Sequence, residues 1–217
     1  MKTRLSFQQA AGLDRSTARR WFTSIVTAMQ TYQIILPPDQ AMFIAQTGTE
    51  SRGFTALSEN LNYSAERLLT VFGPHRITPQ QALLYGRDGG QPARQEAIAN
   101  CIYGGFWGKK HLGNTEPGDG WRYRGRGLIQ ITGRENYQRC GDALMLDLLS
   151  EPDLLLQDGL AALSAAWFYV AKGCLDYSGE VEAITRIISG GQHGLNTRKQ
   201  RYENAFRVFS HPGPGIV

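Results

Sequence analysis

Glu50 and Glu59 stand nine positions apart, and well downstream lies Gly125-Arg126-Gly127-Leu128-Ile129-Gln130-Ile131-Thr132. Two carboxyl groups and a polar cluster able to hold a water molecule are the minimum equipment for hydrolysing a glycosidic bond. One carboxyl, kept neutral, protonates the leaving oxygen, while the other draws a proton from the attacking water. Most glutamates at helix ends and in loops are solvated surface charges, so the pair alone does not decide the matter.

The elements that must position the pair can be read from their neighbours. Pro37-Pro38-Asp39 reads as a stop followed by an N-cap, and Gln40 to Ser51 as a mostly apolar helix. Glu50 then lies near the helix C-terminus with Thr47, Gln46 and Phe43 beside it, at the border of the buried stripe. That is the partly desolvated setting a general acid needs. Glu59 falls beyond Gly53, in Ser58-Glu59-Asn60-Leu61-Asn62-Tyr63-Ser64, a polar stretch that reads as a loop before the next helix. Nine residues along one continuous helix would span about 13 Å. A helix end and a separate loop can instead leave two carboxyls with room for a water between them.

Several segments, read in order, resemble the family 19 glycoside hydrolases, and most closely their phage and bacterial branch of chitinase-like endolysins. They are Ala45 to Phe54, Glu59 to Ser64, Gly118 to Tyr137, Pro152 to Leu155, and Ile187-Ile188-Ser189-Gly190-Gly191 with Gly194-Leu195, Arg198 and Arg201-Tyr202. The resemblance spans about Gln40 to Phe206. It implies that Glu50 is the general acid, Glu59 the general base, and Thr132 the hydroxyl that helps the base hold water. Gln130 and Asn136 fall on substrate-contacting positions, and Ser189 and Arg201 join them on the carried-over binding surface. Two residues depart from the family pattern: Thr49 stands where His often precedes the acid, and Ser189 where Asn often precedes the Gly-Gly. Neither removes a carboxylate, but both alter hydrogen bonding.

Other motifs have plainer readings. Gly125-Arg126-Gly127 lacks the third glycine and the Lys-Ser ending of a phosphate loop, so it reads as a tight turn. Arg122, Arg124, Arg126 and Arg134 read either as an anion patch or as structural partners of acids. Tyr63, Trp107, Trp121 and Tyr123 are candidates for stacking on sugar rings or for filling a core, and Tyr63 is placed with the substrate-binding set. His75, His111, His193 and His211 are scattered and Cys101, Cys140 and Cys174 are odd in number, so no metal and no disulfide framework is expected. Nor is any cofactor expected.

With 217 residues and 41% hydrophobic content, the chain can bury a sizeable core. It reads as one catalytic domain over 1–217, with 40–206 resembling the family's catalytic region and a helical part at 1–36 packed on it. Apolar periodicity predicts helices with Ala18, Trp21, Phe22, Ile25, Val26 and Met29 on one face behind an Asp14 cap, from Asp158 to Ala171, around Val181 to Ile188 before Gly190-Gly191, and around Tyr202 to Phe209. Strand signal is confined to Leu128–Thr132 and a short hairpin near Gly118-Asp119-Gly120. The expected fold is therefore mainly α, a lysozyme-like helical fold with at most a short β-hairpin and an active-site cleft between two lobes.

The function this implies is an endolysin that hydrolyses the β-1,4 backbone of bacterial peptidoglycan with inversion and lyses the host cell. The alternatives are a lytic transglycosylase using Glu50 alone, a chitinase, or a cell-wall-binding protein without catalysis. A net charge of +4 suits an anionic bacterial envelope and is too dispersed for nucleic acid. No membrane span or signal peptide is read. The protein is expected as a monomer in the host cytoplasm that reaches the wall through a holin-type pore.

Overall fold

The computed structural model describes residue 1 and residues 3–210. Its first helices are α1 (Arg4–Ala11), α2 (Arg15–Thr31), α3 (Pro37–Glu50), α4 (Ala65–Phe72), α5 (Pro79–Tyr85) and α6 (Gln95–Ile102). They are followed by α7 (Gly105–Leu112), α8 (Asp119–Arg122), α9 (Arg134–Leu144), α10 (Asp158–Ala171), α11 (Val181–Ser189) and α12 (Leu195–Ser210). Among the described residues β structure is limited to isolated bridges, of which Ser58 to Arg126 and Arg126 to Ile131 are antiparallel. The chain divides into two compact units: residues up to Leu57, Gly127–Ile129 and residues from Leu154 form one, and Ser58–Arg126 with Gln130–Asp153 the other.

In the first unit α3 packs on α12, α2 on α10, and α1 on α12. Ala10, Ala41 and Ala205 meet where α1, α3 and α12 approach closely, which is why small side chains stand there. Phe54 closes the aromatic core, 5.8 Å from Phe7 edge-on and 5.9 Å from Trp21. The Trp21 indole N–H donates to the Phe54 carbonyl at 2.9 Å, so its one polar atom is satisfied inside the core. Each such ring contributes roughly 1.5–3 kcal/mol by leaving water.

The α2 cap forms as the sequence predicts: the Asp14 carboxylate accepts from the Ser16 and Thr17 amides at 2.8 and 2.9 Å. Its pKa is lowered to about 2, chiefly by the Thr17 backbone and side-chain hydrogen bonds. A depressed carboxyl pKa gives stability that is present above the unfolded value of about 3.9 and is lost as pH falls through the folded one. Asp14→Ala is therefore expected to lower Tm at pH 7, with the difference closing as pH is taken down to about 2 in calorimetric melts.

Two local expectations give way. Pro37 and Pro38 open α3 rather than stopping a segment before it, and Leu36 rather than Asp39 is the N-cap. The first-turn amides lack intrahelical acceptors, so proline loses nothing there, and its fixed φ suits the helix. Asp39 lies inside that turn, 4% exposed. At Gly118-Asp119-Gly120 there is no hairpin but the single turn α8. Asp119 accepts from the Thr115 and Glu116 amides at 3.0 Å each, which curls the chain.

The second unit has its own core: Leu61, Leu68, Phe72, Ile77, Ala82, Ile98, Ala99 and Ile102, with Tyr63 and Trp121 packed against it. Here Arg126, 2% exposed, donates to Asp153 at 2.7 Å, to the Arg122 carbonyl at 2.7 Å and to the Tyr137 hydroxyl at 2.9 Å. That node ties α8, α9 and the Arg124–Arg126 segment together from within.

Candidate active site

Glu50 is the last residue of α3, in the first unit, with its side chain 23% exposed. Arg198 of α12, 3% exposed, forms an ion pair with its Oε1 and also donates to the Gln46 amide oxygen one turn back. The third Arg198 contact is the His193 carbonyl at 3.0 Å. Gln46 and Glu50 share a helix face at i, i+4 spacing, so one guanidinium fork spans both. Local periodicity surrounds Glu50 with apolar stripe and the C-terminal helix end. The charged partner, 148 residues away in sequence, is invisible to that reading.

The departure at Thr49 has a definite structural outcome. Its hydroxyl donates back to the Ala45 carbonyl at 2.7 Å, the usual resting place of a helical threonine. Ser189, the other departure, likewise donates its hydroxyl to the Thr185 carbonyl at 2.8 Å and the Gly191 carbonyl at 3.1 Å, at the C-terminal end of α11. Arg201 is directed within the same unit: its guanidinium donates to the Ala11 carbonyl at 3.3 Å and lies against Gly48. Burial lowers its pKa.

Glu59, in the second unit, sits on the loop the sequence predicts. Its amide donates to the Gly125 carbonyl at 2.9 Å, and the Gly125 amide returns a bond to its Oε2 at 3.2 Å. Oε1 accepts from the Tyr103 hydroxyl at 2.5 Å. Gln130, Thr132 and Glu59 converge on Gly125: a Cβ there would lie 2.7 Å from Gln130 Oε1, 3.2 Å from Thr132 Oγ1 and 3.3 Å from Glu59 Cβ. A Cβ there would push the Gln130 amide aside and press on Thr132 and Glu59. Gln130 has φ 58°, a left-handed conformation that costs a non-glycine residue about 1 kcal/mol or more and occurs where function constrains the backbone. Thr132 donates its hydroxyl to the Gln130 carbonyl at 2.9 Å, and Asn136 donates to the Thr132 carbonyl at 2.8 Å. The structure therefore brings Glu59, Gln130, Thr132 and Asn136 into one cluster.

Tyr63 packs edge-on against Phe72 at 5.6 Å, on the rim of the second core. The four arginines divide into structural roles: Arg126 pairs with Asp153, Arg134 lies 3.8 Å from Asp119, and Arg122 donates to the Leu149 and Ser150 carbonyls. Arg124 stacks 3.8 Å over the Trp121 ring. They line an open pocket of about 740 Å³ whose acids, Glu96, Glu116, Asp119 and Asp153, match them in number. Cys140 and Cys174 are buried, with thiol pKa values pushed up to about 12 by desolvation, which leaves them inert as nucleophiles.

Tyr103 and Arg198 are the contributors that sequence reasoning missed. Arg198 lies within the terminal motif that resembles the family, but Lys199 and Arg201 beside it leave nothing in the sequence to single it out. Tyr103 follows an apolar run and carries no motif at all.

Residues 110–201 match the family model described as chitinase class I. A Haemophilus influenzae protein described as glycosyl hydrolase family 19 domain-containing is 40% identical over 163 residues, 75% of this chain and 76% of that protein. Chitinase 11 of Oryza sativa subsp. japonica is 45% identical over 65 residues, and the chain spans only 25% of that relative. Among solved structures, a bacterial family 19 chitinase aligns with TM-score 0.60 at 20% identity, covering 98% of this chain and 97% of that one. Chitinase C from Streptomyces griseus gives 0.57 at 16%, covering 98% and 78%. At those identities the likeness is one of fold, the lysozyme-like helical plan. The sequence relationship goes further, and the chain belongs to glycosyl hydrolase family 19, whose members are glycoside hydrolases.

Proposed function

We propose that this glycoside hydrolase is an endolysin that cuts the β-1,4 backbone of bacterial peptidoglycan by single displacement, with Glu50 as general acid and Glu59 as general base. The observation that carries the base assignment is the convergence of Glu59, Thr132 and Gln130 on the Gly125 backbone. The Thr132 proton is committed to the Gln130 carbonyl, so its oxygen lone pairs are available to accept one hydrogen of a water while Glu59 Oε2 takes the other. The water's own lone pair is then left for the anomeric carbon. On Glu50, Arg198 holds Oε1 and leaves Oε2 as the oxygen to carry the proton for the departing sugar.

The peptidoglycan reading is supported by the resemblance to the lysin branch and by the net charge of +4, which suits an anionic wall. The second reading is a chitinase, favoured by the chitinases among the proteins of similar fold. Digestion of purified sacculi and of chitin in parallel, with mass spectrometry and proton NMR of the first products, separates the possibilities. The expected result is soluble muropeptides with a hydrated reducing end, first released as the α-anomer. An anhydro end, lighter by one water, would make the enzyme a transglycosylase; release from chitin alone would make it a chitinase; binding without release would make it a wall-binding protein. Access to the wall by an endolysin of this kind requires a membrane lesion, as a holin-type pore provides.

A further inference from the structure

We propose that Tyr103 is a positioning residue for Glu59, acting through a rigid aromatic and cationic mount that no sequence motif marks. The Tyr103 hydroxyl donates to Glu59 Oε1 at 2.5 Å, while Oε2 is met by the Gly125 amide at 3.2 Å. The two donors approach different oxygens, so the carboxylate plane is fixed and one oxygen is assigned to the protein scaffold. Oε1 is held by a short bond to a phenol. Oε2, with the longer bond, is the oxygen left to serve water beside Thr132.

The tyrosine is itself held at its carbonyl and at its ring. Its carbonyl accepts from the Asn114 side chain at 2.9 Å, and Asn114, 4% exposed, accepts in turn from the Arg134 amide at 2.8 Å. Its ring lies 5.5 Å from the Arg76 guanidinium, which sits 3.7 Å over Trp107 and donates to the Ile102 carbonyl at 2.8 Å. Burial and the Glu59 carboxylate raise the phenol pKa well above its ordinary value, so the hydroxyl remains a donor across the working pH range. A half-buried donor locked at both ends gives a base that does not swing, which is what a near-attack geometry demands.

The inference rests on Glu59 being the base, and its test separates the two ideas. Tyr103→Phe removes one oxygen and leaves the ring against Arg76 and the Asn114 bond untouched. On the better of two soluble substrates, peptidoglycan glycan strands or chitohexaose, kcat is expected to fall about tenfold or more with KM unchanged within about twofold. Placed in a Glu59→Gln background, the same substitution is expected to cost nothing further, because the group it orients is gone. A loss confined to KM, or losses that multiply in the double variant, would overturn the proposal. Full turnover by Glu59→Gln would overturn the base assignment and this inference with it. Full turnover by Tyr103→Phe beside an inert Glu59→Gln would sink this inference alone.

Discussion

Glu50→Gln is expected to lower kcat by about a hundredfold or more with the fold retained, since general acid catalysis contributes on that scale. The isostere keeps the helix end and still offers Arg198 an acceptor oxygen, so the geometry around Gln46 survives. It does remove the carboxylate that pairs with Arg198, whose side chain is 3% exposed. A buried guanidinium bonded only to neutral acceptors costs of order 2 kcal/mol, which melts should register as a lowered Tm. The decisive measurement is initial-rate turnover beside circular dichroism at the same temperature. A folded variant with wild-type turnover would remove Glu50 from the mechanism.

Gly125→Ala is expected to slow turnover several-fold although it replaces no titratable group. The added methyl would meet Gln130 Oε1 at 2.7 Å, closer than real Cβ contacts come, and press on Thr132 Oγ1 and the Glu59 Cβ. Gly125 is not among the residues of positive φ, so the backbone tolerates alanine and the whole effect falls on those three neighbours. The Gln130 amide can swing aside, while Thr132 and Glu59 must each give by a few tenths of an ångström, so the overpacking costs about 1 kcal/mol in stability and turnover falls several-fold. Gly12→Ala is the matching control: φ there is 64° and nothing lies within 4 Å of the added carbon. It should lose stability by strain while turning over normally. Equal activity losses in the two variants would show that Gly125 acts only through the fold.

The helical plan was legible because it is written in local periodicity: α2 behind Asp14, the apolar α10, and α11 stopped at Gly190 all stand close to where spacing places them. What misled was punctuation. Pro37-Pro38 looks the same whether it ends one element or begins the next, and only the missing amide acceptors of a first turn distinguish the cases. Gly118-Asp119-Gly120 signals a turn correctly but not its kind, which the Asp119 side chain decides. For the candidate catalytic residues, resemblance supplied names and the structure supplied company. Glu50 meets Arg198 across 148 residues and Glu59 meets Tyr103 across 44, separations that no helical or strand period encodes. The hydroxyls of Thr49 and Ser189 are turned back onto carbonyls four residues earlier in their own helices, so in the free protein both chemical departures are spent on the backbone.

The chain order of the first unit has a consequence for biosynthesis. Its early helices α1 to α3 leave the ribosome long before α10 to α12, with Ser58–Arg126 and Gln130–Asp153 translated in between. The intervening unit, with its own apolar centre, has the contacts to close while the flanking one waits for its remaining half. Nascent chains stalled before Arg198 therefore carry Glu50 without its counterion. Glu50, early as it stands in the chain, acquires that partner only when α12 docks near the end of synthesis.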